Sequence, residues 1–198
     1  MRAERGRYGG VIGPVAFVAA WVVTGFATDG YSPVNDPISD LAAVDAPHRW
    51  WMTAGFVVFT GGLVAYGLAL RARQGEPAWI AAVITGLATL GVAALPLDHS
   101  NTVDTAHGIA AATGYVALGS TALLSAQVLA RNGAIAWARV GVVIGTVTLG
   151  ALALTLTGSA TGFWQRVGLT TGDVWIVATA LAWPKSLGTR HCGHDRDL

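Results

Sequence analysis

Apolar residues in this chain run in long, nearly unbroken blocks separated by short polar gaps. Six blocks stand out, at residues 10–28, 50–70, 78–97, 108–130, 140–157 and 167–184. A helix rises about 1.5 Å per residue and a bilayer's hydrocarbon core is about 30 Å thick, so about 20 residues cross it. All six blocks reach or approach that length. The last two are the shortest, and Asp173 interrupts the sixth. None carries the Lys- and Glu-rich face of a soluble bundle helix, and none alternates like a barrel strand. The pattern predicts an all-α polytopic membrane bundle of six transmembrane helices. Residues 1–184 form a single membrane domain, and 185–198 form a tail.

Composition agrees: 53% of residues are hydrophobic, only 12% are charged, and the mean hydropathy is +0.53. Arg2, Arg5 and Arg7 precede an apolar run as in a signal peptide. Glu4 among them and the lack of a small-x-small cleavage site predict a retained helix instead. Basic residues set the orientation. Ten (Arg2, Arg5, Arg7, Arg71, Arg73, Arg131, Arg139, Lys185, Arg190 and Arg196) fall on one side, and only Arg49 and Arg166 fall on the other. The positive-inside rule then places both termini in the cytoplasm. Trp50, Trp51, Trp79, Trp137, Trp164 and Trp183 lie near span ends and fit interfacial anchoring. The single Cys192 excludes an intramolecular disulfide, and its setting, His191-Cys192-Gly193-His194-Asp195, reads as an unstructured tail.

The chain also matches itself at an offset of 59 residues. His48 falls on His107, Gly55 on Gly114, Phe56 on Tyr115, Gly86 on Gly145 and Gly91 on Gly150; a third step reaches Arg166. This predicts a parallel repeat of residues 48–106 and 107–165, an arrangement found in some transporters without implying transport. Gly141-x-x-x-Gly145 is a small-residue pattern that predicts close helix contacts within the bundle.

Candidate chemistry gathers in the gaps opposite the basic side. In the first, Asp36-Pro37 forms a cap-and-first-turn pair, predicting a short helix over Pro37–Val44 that carries Ser39 and Asp40, with His48 beyond it. The second holds Asp98, His99, Asp104 and His107. The last two are spaced i, i+3 on one helix face, so the aspartate would orient the imidazole. Asp98, Asp104, His107 and His99 are candidate ligands for a divalent metal. Imidazole and carboxylate donors suit zinc with a bound water as nucleophile. Asp40, Asp98, His107 and Ser39 are the candidate catalytic set. Arg166 would hold an anionic head group or pair with Asp40 or Asp98, and His48 and Asp173 complete the ligand-binding candidates. Asp173 lies about two turns into its helix, where an unpaired carboxylate is expensive, so it should face the bundle or a polar cavity.

Several landmarks resemble the DUF998 family of six-helix prokaryotic membrane proteins. They are Tyr31-Ser-Pro33 leading to Ser39-Asp40, Pro96-Leu-Asp98, Asp104-Thr-Ala-His107 and Gly162-Phe-Trp-Gln-Arg166. That resemblance implies the fold and topology, and no particular activity. A more distant likeness is to the alkaline ceramidase and adiponectin-receptor type of membrane hydrolase, which uses Ser/Asp and three histidines around zinc within seven helices. It implies comparable parts for Ser39, Asp40 and His107. The last helix here lacks the HxxxH pair, and the chain is one helix short.

Three function classes follow. The first is an outward-facing polar pocket binding a lipid head group or small polar ligand, as an enzyme a metal-dependent hydrolase of an amide or ester. The second is a small-solute or lipid transporter. The third is a structural or assembly subunit of a membrane complex. Membrane lipids are expected partners, and the scattered basic residues give no patch for nucleic acid.

Overall fold

A computed structural model of the chain describes residues 5–74 and 77–182. The described residues form six α-helices and one short 3₁₀ turn, without strands. The helices are α1 (Gly9–Ala27), α2 (Arg49–Gln74), α3 (Ala78–Ala94), α4 (Asn101–Arg131), α5 (Ile135–Thr155) and α6 (Thr161–Ala182); the 3₁₀ turn, Ile38–Ala42, lies between α1 and α2. Each helix packs on the next and α6 returns to α1, closing a ring, while α4 also touches α6. Four helices are long and apolar enough to cross a membrane: α1, α2, α4 and α5. At 17 residues α3 is shorter, and α6 carries Arg166 and Asp173 within its 22 residues. The outside of the ring is apolar: Phe26 is 91% exposed, with Val23, Val143 and Leu156 also outside. A water-soluble bundle would bury such side chains.

All helices but α3 start before the apolar blocks that announce them, and α3 stops at Ala94, three residues short of its block. The largest difference is at α4, which starts at Asn101 rather than 108. Ser100 caps it, its hydroxyl accepting from the Val103 amide at 3.4 Å. The expected Asp36 cap is not formed. The 3₁₀ turn begins after Pro37, and the Asp36 carboxylate turns back to accept from the Ser32 amide at 2.7 Å. The tail with His191, Cys192, His194 and Asp195 lies outside the described residues, as do Arg2, Trp183, Lys185, Arg190 and Arg196.

Glycines set the closest crossings. A Cβ at Gly62 of α2 would stand 2.6 Å from the Gly9 carbonyl oxygen of α1. A Cβ at Gly141 would meet Trp175 at 2.8 Å, so the Gly141–Gly145 stripe faces inward. Positions 59 residues apart make corresponding contacts. Gly86 faces the Thr60 carbonyl and Val64, whereas Gly145 faces the Gly119 carbonyl and Leu123. Gly55 packs on Ala20 of the preceding helix, as Gly114 packs on Ala88.

Candidate functional site

The segment between α1 and α2 folds back over the end of the ring where α2, α4 and α6 begin. Ile38, 1% exposed, and Leu41, 2% exposed, enter the core between the helix ends, so this segment is a plug seated by apolar burial. Polar bonds pin it to α6. The Ile38 amide donates to Gln165 Oε1 at 2.6 Å, and the Phe163 amide donates to the Val34 carbonyl at 2.9 Å. Arg166 Nη1 donates to the carbonyls of Pro33 at 2.7 Å, Asp36 at 3.2 Å and Gly162 at 2.9 Å. Its Nη2 donates to the Tyr31 hydroxyl, which donates onward to the Pro37 carbonyl at 3.0 Å. The guanidinium also lies over the rings of Trp21 and Tyr31. On the other flank the Val44 amide donates to the Leu97 carbonyl at 3.0 Å, joining the plug to the α3–α4 connection.

Beneath the plug is a chamber of about 60 Å³. Its walls are mainly Phe17, Phe56, Phe59, Val92, Leu118 and Leu169, with Ser39, Thr85, Thr89, His107, Tyr115 and Gln165 as the polar members. Most of these polar groups are already bonded. Thr85 and Thr89 donate to carbonyls one turn back in α3, and the Tyr115 hydroxyl donates to the Trp164 and Gln165 carbonyls. His107 Nδ1 lies 2.6 Å from the Leu95 carbonyl oxygen at the end of α3. A carbonyl only accepts, so Nδ1 carries the proton and Nε2 is left with its lone pair in the neutral ring. Neither that nitrogen nor the buried Ser39 hydroxyl has a hydrogen-bond partner among the described residues.

The remaining sequence candidates divide into three places. Asp40 sits half-buried on the plug and does not line the chamber. Burial pushes its carboxyl up to about 6; the negative charges of Asp36 and Asp98 add to the rise, and Arg166 opposes it. Asp98 and His99 are exposed in the α3–α4 connection, where Asp98 adopts φ +64°. Asp104 does not orient His107: the imidazole turns to the Leu95 carbonyl, and Asp104 Oδ1 is buried without a partner. His48 is likewise committed, its Nε2 lying 3.2 Å from the Ala27 carbonyl oxygen at the end of α1. The two histidines, 59 residues apart, thus share one task, each closing the C-terminus of the preceding helix. Asp173 lies elsewhere, in the lining of a groove between α1 and α6.

Among the described residues no three His, Cys, Asp or Glu side chains come close enough together to hold a metal ion. The expected zinc set of Asp98, Asp104, His107 and His99 is therefore not assembled, because the first and third are drawn to different surroundings. Of the expected catalytic set, Ser39 and His107 share the chamber, while Asp40 lies on the plug and Asp98 in the α3–α4 connection. Arg166, expected to hold a ligand, is occupied by backbone carbonyls. The sequence reading missed Gln165 and Tyr31 as clamps. Their signal was their place inside the two polar gaps, next to Arg166 and Pro33.

A closed ring of helices with an apolar exterior and a plugged polar end defines the class, an all-helical protein suited to embedding in a membrane. Within that class, the family profile described as Protein of unknown function (DUF998) matches residues 11–182, and the chain belongs to that family. No curated protein and no solved structure matches the chain.

Proposed function

We propose that the protein is a cell-membrane protein of six spans with cytoplasmic termini, whose chamber beneath the plug binds a small polar group of a lipid or other amphiphile. The observation that carries this reading is the pair of unpartnered polar groups, the Ser39 hydroxyl and His107 Nε2, in an otherwise apolar wall. A few convergent polar groups in an apolar pocket are what fixes a ligand's orientation. The size limits what enters. At roughly 10–15 Å³ of such volume per water, the chamber holds about four waters or a hydroxyl, ester or amide group with its nearest carbons. A whole head group requires the plug to lift. Binding is favoured over metal-assisted hydrolysis because the candidate metal ligands do not converge. Transport has a thinner basis in the bundle's buried hydroxyls: those of Thr85, Thr121 and Thr148 are bonded to backbone carbonyls, while Ser125 Oγ is buried without a partner.

Mass spectrometry of ligands released from protein purified in lipid nanodiscs tests the proposal. A defined amphiphile is expected to co-purify with the wild type and to be depleted in Ser39→Ala and His107→Ala. An unchanged lipid profile in both variants would remove the chamber as a binding site. Orientation is tested through Cys192, the chain's one cysteine. In intact cells a membrane-impermeant thiol reagent should leave it unlabelled while labelling an added Asp45→Cys.

A further inference from the structure

Midway along α6 is a carboxylate without a partner. Asp173 is 3% exposed, and neither of its oxygens has a hydrogen-bond partner. It lies at the back of a lateral groove of about 580 Å³ between α1 and α6, lined by Val18 and Val22 on one side and Thr170, Val174 and Ala178 on the other. The Thr170 hydroxyl, one turn before Asp173, makes no hydrogen bond among the described residues either. A buried carboxyl left unpaired is strongly unfavourable, and such residues in membrane helices face a polar partner.

We propose that this groove is a docking site for the transmembrane helix of a different membrane protein, one that carries a lysine or arginine at mid-depth. Depth selects the occupant. Asp173 lies 12 residues beyond Thr161, roughly 18 Å along the helix axis, and 9 residues before Ala182. A free lipid amine keeps its charge at the bilayer surface, too far away to reach. An acyl chain would fill the groove and leave both oxygens unpaired. Recession excludes a second copy of this chain. Two short aspartates at the backs of facing grooves do not meet, and every arginine among the described residues lies before a helix or near one of its ends. Neither oxygen is exposed, so a long basic side chain on a facing helix meets the carboxylate once Asp173 turns outward into the groove, and there it also gives Thr170 a donor to accept from. Both requirements, charge and reach, are then met at one depth.

The inference rests on reading α6 as a membrane helix and not on the chamber. Labelled protein reconstituted in vesicles is to be mixed with labelled polyleucine helices of about 21 residues bearing either a central lysine or leucine alone. Energy transfer to the lysine helix should exceed that to the all-leucine helix at least tenfold in apparent affinity, about 1.4 kcal/mol. It should fall to the leucine level in Asp173→Leu and in Ala178→Phe, which narrows the groove while keeping the carboxylate. Equal transfer to the two peptides in the wild type would overturn the proposal. So would transfer between two copies of the protein that Asp173→Leu abolishes, since that assigns the groove to self-association. Alkaline extraction of the same vesicles separates the two readings: protein released by alkali defeats the membrane reading itself, whereas retained protein with equal transfer defeats only the docking site.

Discussion

Two charged side chains seven residues apart on α6 meet opposite fates. Both terminal nitrogens of Arg166 meet acceptors, three backbone carbonyls and a tyrosine hydroxyl, and its plane meets two aromatic faces; its Nε alone is left unbonded. Asp173, two turns deeper on the same helix, has no hydrogen-bond partner. The difference comes from the neighbours. At the plug end, loops supply free carbonyls that a guanidinium can gather. In the middle of the bundle every backbone group is engaged by its own helix, and only side chains can answer a charge. A polar residue satisfied within the chain is explained by the chain. One that is not asks for something from outside.

That contrast gives opposite signs for two substitutions. Arg166→Ala should produce the largest effect, a loss of about 3 kcal/mol, because it removes charged hydrogen bonds and frees the plug. Denaturation of the detergent-solubilised protein, with protease cleavage of the 29–48 segment as the local readout, measures it. A loss below about 1 kcal/mol would mean that apolar seating alone holds the plug. Asp173→Leu, in the absence of a partner helix, should stabilise by about 1–2 kcal/mol, since a leucine has no desolvation penalty. Destabilisation in the same assay would reveal a partner within the chain and erase the contrast.

Smaller effects sharpen the plug-end half of the comparison. The Asp40 carboxyl, raised to about 6 by burial, keeps its proton in the folded state after the unfolded chain has released it. Stability should therefore fall as pH rises from about 4 to about 6, by on the order of 1 kcal/mol after allowance for its partial exposure, and level off above. Asp40→Asn should flatten that slope, and Arg166→Ala should move its upper end to higher pH by removing the opposing charge. The smallest changes belong to the histidines. His107→Ala should cost about 1 kcal/mol and His48→Ala about half that, because the first carbonyl is left buried and the second is closer to solvent. Equal losses would indicate that chamber burial adds nothing to the His107 bond.

The helices were legible because long apolar runs leave the backbone little choice. α1 and α2 begin within one residue of their predicted starts. Asn101–His107 lay outside the apolar block because the first two turns of α4 are polar; there only the i, i+3 spacing of Asp104 and His107 pointed to helix, which Ser100 starts. The site was legible only as a location. The gaps announced Ser39, His107 and Arg166, but the partners of the last two were set by other segments of the chain: Leu95 for His107, and Pro33 and Tyr31 for Arg166. Spacing alone favoured Asp104 as the partner of His107. Tertiary packing brought a carbonyl nearer.

Residues that anchor the plug are separated from it by most of the chain. Ile38 is held by Gln165, 127 positions later, and Tyr31 by Arg166, 135 positions later. During synthesis the loop between the first two helices therefore emerges with none of its α6 clamps yet made. It waits, unlatched, while α3, α4 and α5 are laid down, and the last helix to arrive closes both the ring and the chamber. Assembly has a built-in late step: a nascent protein halted before residue 165 lacks the clamps over its chamber, and synthesis of α6 is what supplies them.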